Sequence, residues 1–125
     1  NNTKVLFDTA DELGVTTVLD TELAEMTVRE AAERALAAVD GDRPIHLSID
    51  LDVLPAAVAP GVSAPAGFGV EYATLRAMVA AVASTGRVAL LDVVELNPDF
   101  DVDNRTAKAA ARLIDDAVVG AKLRG

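Results

Sequence analysis

In Pro44-Ile45-His46-Leu47-Ser48-Ile49-Asp50-Leu51-Asp52 the apolar residues hold the odd positions and the polar ones the even positions. A period of two predicts a strand from Ile45 to Leu51 or a little beyond, opened by Pro44, with Asp50 and Asp52 projecting from one face. Both acids then sit at the carboxyl end of the strand, where open α/β sheets place their ligand crevices.

On either side of this strand the apolar spacing alternates between helical and strand periods, which predicts one helix followed by three strand-and-helix pairs, α(βα)3. The first helix is expected from Lys4 to Leu13, with Thr3 as cap and Gly14 closing it, followed by a short strand from Thr16 to Leu19. Thr27-Val28-Arg29-Glu30 has capping-box spacing and leads into a stripe of Val28, Ala32, Ala35, Leu36 and Val39. Beyond the central strand, Pro55, Pro60, Gly61, Pro65, Gly67 and Gly69 punctuate a long loop too apolar for a flexible linker. A helix from Glu71 to Ala83 is expected next, burying Leu75, Met78, Val79 and Val82. A strand from Arg87 to Leu96 follows it and reads as covered on both faces. The last helix should follow Asp103 and bury Ala107, Ala110, Ile114, Ala117 and Val118. Strands joined by helices imply right-handed crossovers and a parallel sheet.

Two neighbouring carboxylates in an otherwise apolar strand call for a compensating cation, and all-oxygen donors favour magnesium, calcium or manganese. The same pair also suits a solvated strand end, with the aspartates hydrated or capping the loop that follows. Glu95 ends the later strand in Asp92-Val93-Val94-Glu95-Leu96-Asn97-Pro98 and should line the same crevice. There it could bind a cationic group or take part in proton transfer; pairing with a nearby basic residue is the structural alternative. Asp92, an odd number of positions away, belongs to the other face and reads as structural. His46 lies roughly 13 Å from Asp50 along an extended strand, too far to share its ion, and also reads as structural. Asp99, Asp101 and Asp103 imitate the start of a calcium hand, but Asn104 and Ala110 occupy the positions that need glycine and glutamate. Asp103 is expected to cap the last helix, with the other two organising the turn. Gly67-Phe68-Gly69 lacks both the third glycine and the preceding strand of a dinucleotide loop.

Composition bounds the function classes. A chain of 125 residues allows one core, so a single domain over 1–125 is expected, and 51% apolar with 25% charged residues is globular and soluble composition. No run approaches the roughly eighteen apolar residues of a membrane span, and nothing resembles a signal peptide, which favours the cytoplasm. A net charge of −9 with scattered basic residues argues against a nucleic-acid partner. With no cysteine, any metal must take oxygen or nitrogen donors.

Taken together, Ser48-Ile49-Asp50-Leu51-Asp52, the segment Ala59-Pro60-Gly61-Val62-Ser63-Ala64-Pro65, and Glu95-Leu96-Asn97-Pro98 with Asp101 and Thr106-Ala107 resemble the arginase, agmatinase and formimidoylglutamase family in order and spacing. The likeness runs over essentially the whole chain, Asn2-Thr3 and the first helix included. It implies an arginase-like fold, a three-layer αβα domain with a parallel sheet, of which this chain would be the carboxyl-terminal α(βα)3 portion. It further implies two manganese ions, with Asp50 bridging them and Asp52 ligating one, and a catalytic Glu95 that orients the amidine or guanidine group of a small-molecule substrate. Leu54-Pro55-Ala56-Ala57 and Pro60-Gly61-Val62-Ser63-Ala64-Pro65 are similar to formimidoylglutamases; arginases and agmatinases usually show an aspartate-proline pair and a P-G-T-G-T-P-like loop. The substrate implied is N-formimidoyl-L-glutamate, hydrolysed to L-glutamate and formamide in histidine degradation.

The family's other metal ligands come from upstream G-G-D-H-like and D-x-H-x-D-like segments, and neither occurs in these residues. This chain alone is therefore expected to bind manganese weakly and to be inactive. Without upstream strands a sheet edge and apolar helix surface should be exposed, and self-association into a homo-oligomer is expected. Two rival readings are an arginase- or agmatinase-type guanidine hydrolase, and a noncatalytic α/β module whose acidic crevice binds a cation or a partner.

Overall fold

The helices begin and end where the capping residues allow, and the sheet forms only where strands find a partner. The computed structural model describes residues 3–122, so that Asn2, one of the residues bearing the resemblance, lies outside them. In chain order these form α1 (Lys4–Glu12), α2 (Asp20–Ala24), α3 (Val28–Ala38), β1 (Ile45–Asp50), α4 (Tyr72–Ala83), β2 (Val88–Val94) and α5 (Arg105–Lys122), with short 3-10 turns at Leu51–Val53 and Pro98–Phe100. β1 and β2 are parallel neighbours, aligned from His46 opposite Leu90 to Asp50 opposite Val94, and α4 makes the crossover between them.

α1 closes through Gly14 at φ +71°, a left-handed position that glycine adopts without steric cost, although the Thr3 hydroxyl makes no capping bond at its start. The capping box of α3 is formed: Thr27 Oγ1 accepts from the Glu30 N–H at 3.2 Å, and the Thr27 N–H donates to Glu30 Oε2 at 2.7 Å.

The strand expected over Thr16–Leu19 is absent. Its residues favour extended backbone, but none of the described segments lies beside them to complete a ladder. The chain instead turns into α2, with the Leu19 N–H held by Glu22 Oε2 at 2.6 Å. The described sheet therefore has two strands. β2 is also not covered on both faces. Leu47 and Ile49 of β1, with Leu91 and Val93 of β2, pack with Leu51, Leu54, Val62, Val79 and Leu113 into the main core, on the side where α4 and α5 lie. The other face presents His46, Ser48, Asp50, Leu90, Asp92 and Val94, and Leu90 remains 56% exposed. Of a three-layer arrangement, the described residues build the sheet and the helical layer on one of its sides.

Two helical stripes are rotated from their expected positions. α3 buries Ala31, leaving Val28 and Leu36 exposed, and α5 buries Thr106, Ala109, Ala110, Leu113, Ala117 and Gly120 while Ile114 and Val118 stay out. The reason in α5 is close approach. A Cβ at Gly120 would stand 2.8 Å from the Ala80 carbonyl oxygen, so small residues, rather than the most apolar ones, face α4. α4 is apolar on several sides because it sits between α3 and α5: Val79 and Ala83 enter the main core, and Leu75 and Met78 pack on a second cluster of Leu23, Ala31 and Val70.

α4 and α5 are also joined by Arg76, whose Nε and Nη2 donate to the two Asp116 oxygens at 2.6 and 2.9 Å. The arginine side chain is 35% exposed and the aspartate 12% exposed, so solvent screens one end of a two-pronged pair. Arg76→Ala is expected to lower the midpoint of urea unfolding, since Asp116 would keep only the longer 3.3 Å contact with Arg112. An unchanged midpoint would mean that the pair is fully offset by solvation.

Candidate metal centre

β1 stops at Asp50, one residue earlier than alternation predicts, because the chain tightens into the Leu51–Val53 turn. Leu51 and Leu54 are both completely buried and anchor this turn in the core. Asp50 caps it: its Oδ1 accepts the Asp52 N–H at 2.9 Å. The two acids are thus brought together, but by a turn and not by strand alternation, and capping of the following loop is a real part of Asp50's role.

Asp52 is the more informative of the two. Its Oδ1 is buried and has no hydrogen-bond partner among the described residues, a state that ordinarily costs about 1–3 kcal/mol. Burial pushes its carboxyl above the usual value and the neighbouring Asp50 charge pushes in the same direction, against a hydrogen bond from the Ala64 backbone. A cation placed against these oxygens would reverse both effects and fill the vacant acceptor. Two hard oxygen donors on a rigid turn suit magnesium, calcium or manganese. Asp50 and Asp52 supply only part of a site, since no group of three or more histidine, aspartate or glutamate side chains able to hold a metal occurs among the described residues.

Glu95 lies one residue beyond Val94, the register partner of Asp50, and so at the same carboxyl rim. Its backbone is left-handed at φ +71°, which removes it from the strand and leaves it exposed. The loop between the acids completes the rim. Val62 bridges to Leu96, the Asn97 N–H donates to the Gly61 carbonyl at 2.8 Å, and Asn97 Nδ2 donates to Ser63 Oγ at 3.2 Å.

His46 and Asp92 bind each other, but Asp92 shares the open face with Asp50 and is not on the opposite one, because the left-handed Glu95 leaves the strand and breaks the alternation counted from it. His46 Nε2 lies 2.6 Å from Asp92 Oδ2 and the Ser48 hydroxyl donates to Asp92 Oδ1, tying the two strands across the open face. These bonds, Ser48's first, hold the Asp92 carboxyl below its usual range. Asp103, in contrast, does not cap α5. Asp101 does: its Oδ1 accepts from the Val102 and Thr106 N–H groups at 2.9 Å each, and its Oδ2 from Ala107 at 3.1 Å. Asp103 and Asn104 adopt left-handed backbone, φ 53° and 55°, and the cap falls at Asp101, three residues before Asn104, the residue that precedes the helix. An aspartate followed after five residues by a threonine that opens an apolar stripe was the signal in the sequence.

A mostly apolar cavity of about 570 Å³ between α3, α4 and β1 meets this rim at Asp50; Val18, Leu47, Ile49 and Met78 line it together with Arg34 and Ser48, and neither Asp52 nor Glu95 reaches it. Such an apolar lining does not fit a polar substrate.

A carboxylate pair and a third acid at the carboxyl rim of a parallel α/β sheet stand where open sheets of this kind hold their ligands. The chain belongs to the arginase family, whose model matches residues 1–120. It is 53% identical over 114 residues to a formimidoylglutamase of Nocardia farcinica, an alignment that covers 91% of this chain and 36% of that protein. This chain therefore spans little more than a third of the length of the curated relatives it matches. The formimidoylglutamase of Bacillus subtilis superposes with a TM-score of 0.88 at 27% identity, over 98% of this chain and 39% of that one. The formiminoglutamase of Trypanosoma cruzi, solved with Mn2+, gives a TM-score of 0.86 over 98% of this chain and 42% of that one; at 23% identity it speaks to the fold. The arginase-like fold implied by the motifs is thus shared with solved relatives. Among the described residues no helix is long and apolar enough to cross a membrane.

Proposed function

We propose that the complete protein is a manganese-dependent hydrolase of linear amidines that converts N-formimidoyl-L-glutamate and water to L-glutamate and formamide, a reaction of histidine degradation. The hydrolase reading rests on one observation: a buried, unpartnered carboxylate oxygen on Asp52, beside Asp50, at the carboxyl rim of a parallel sheet. The choice of substrate is supported by the identity to a curated formimidoylglutamase and by the Pro60–Pro65 segment. Asp50 and Asp52 would hold the metal, each presenting an ionised oxygen from a turn that the core keeps rigid. When bound, manganese supplies positive charge that lowers the pKa of water and polarises the amidine carbon. Glu95, at the same rim, orients the cationic amidine through paired charge-assisted hydrogen bonds, fixing which face of the carbon is open to attack. Residues elsewhere in the complete protein are needed to fill the coordination spheres. This stretch alone is therefore proposed to bind manganese weakly and to lack activity, and the complete protein to work in the cytoplasm as a homo-oligomer.

The test is an assay of the complete protein with manganese against N-formimidoylglutamate, arginine and agmatine. Release of glutamate and formamide is expected; turnover of a guanidine alone would reject the substrate. Calorimetry separates the noncatalytic reading, because tight stoichiometric manganese binding by residues 1–125 in isolation would favour it.

A further inference from the structure

Glu95 occupies left-handed backbone, φ +71°, that a non-glycine residue enters only at a cost, and such a conformation persists only where its surroundings impose it. Leu96 is bridged to Val62 and the Asn97 N–H is held by the Gly61 carbonyl, so the residues that follow Glu95 are fastened to the 61–63 loop. Gly61 is fastened in turn: its N–H donates to Thr106 Oγ1 at 2.7 Å, a bond buried under α5. Thr106 has no exposed surface, and its hydroxyl donates a hydrogen bond to the Asp101 carboxylate, as do its own N–H and that of Ala107. Gly61 also packs against Asp101 so closely that a Cβ at 61 would lie 2.6 Å from Asp101 Cβ and 2.9 Å from its Cα.

We infer that Asp101 and Thr106 are positioning residues for the proposed reaction, acting through Gly61 and Asn97 to hold Glu95 in the left-handed conformation that aims it along the rim. The chain of contacts runs from the cap of α5 to the loop and from the loop to the end of β2, each link a hydrogen bond or a bridge. One side chain therefore serves both the start of a helix and the aim of a distant acid. Burial alone would raise the Asp101 carboxyl, but the Thr106, Ala107 and Val102 donors outweigh it and bring it down to about 2. An ionised acceptor with that many donors is hard to displace, which suits a fixed anchor better than a mobile one. The inference rests on the proposed role of Glu95, and its test has a readout that does not.

In the complete protein, Thr106→Val removes the acceptor for Gly61 with little change of volume, whereas Thr106→Ser keeps it. With Thr106→Val, amide hydrogen exchange over residues 59–65 and 95–98 is expected to quicken by about tenfold or more while 45–50 is unchanged. kcat should fall about 10–100-fold with manganese content preserved, the size usual for residues that act through another. Thr106→Ser should match the parent in both measurements. Gly61→Ala keeps every hydrogen-bonding group but drives a Cβ against Asp101, forcing the loop and the α5 cap apart from the loop side. It is expected to loosen 95–98 and lower kcat likewise, and it decides the matter if Thr106→Val does not fold. Parent-like exchange at 95–98 in either disrupting variant overturns the inference, as does a Thr106→Ser protein as impaired as Thr106→Val. A parent protein inactive on every amidine and guanidine would sink the proposed function instead, and the exchange data would still judge the clamp.

Discussion

Asp52→Ala in the complete protein is expected to lower kcat by at least about a thousandfold, together with loss of bound manganese. The magnitude follows from the charge that a metal contributes to the transition state, several kcal/mol, at about 1.4 kcal/mol per tenfold in rate. The direction follows from the structure. Asp52 Oδ1 is a buried acceptor without a partner, and the carboxyl is pushed up by burial and by Asp50, so the apo protein carries an unfavourable charge that only a cation relieves. Removing that charge should therefore have opposite consequences for fold and function. Because the carboxyl is raised in the folded state, its ionised form disfavours folding as pH rises past the ordinary carboxylate value. Asp52→Asn should accordingly stabilise the metal-free protein at neutral pH in urea unfolding while abolishing activity. Asp50→Ala should lose metal and activity as well, with an added cost to the Leu51–Val53 turn, whose Asp52 N–H it leaves without an acceptor. Elemental analysis beside the kinetics checks both variants; a full complement of manganese in each would dismiss these two acids as ligands.

Glu95→Gln is the contrasting case, expected to keep manganese and to lower kcat/KM by about 100- to 1000-fold. A carboxylate can accept two parallel N–H groups from an amidine, each bond strengthened by charge. Glutamine keeps the length but offers one acceptor and one donor, so one prong is lost and the other opposed. Losses of that size are usual when a single oriented charge partner is removed from a reacting group. Because Glu95 stands outside the Asp50–Asp52 turn, on the end of the neighbouring strand, the metal should be indifferent to the change. Parent-like kinetics, or metal loss equal to that of Asp52→Ala, would remove Glu95 from the substrate side of the site.

The parts legible in the sequence were those governed by short-range rules. The capping box at Thr27 and Glu30, the glycine closing α1, and the odd-even alternation of β1 depend on residues within a few positions of one another, and all three stand in the structure. The motif set around Asp50, Asp52, Glu95 and Pro60–Pro65 was likewise readable, and it led to the family that the chain belongs to. What failed was whatever needs a neighbour from elsewhere. Thr16–Leu19 has strand composition and no strand beside it, so it is not one. β2 is apolar on both faces, but the described residues cover only one of them.

Local chemistry in the sequence determined the α/β class, most helix boundaries, and the identity of the candidate acids, because caps, glycine turns and hydrophobic periods act over one or two turns of chain. Tertiary structure decided that Asp52 reaches Asp50 through a turn, that Leu113 and Gly120 rather than Ile114 and Val118 face the core, and that Asp101 rather than Asp103 caps α5. Each of these depends on how close two distant backbones come, as where Gly61 meets Asp101 or Gly120 meets Ala80, and that separation is set by the packing of whole elements.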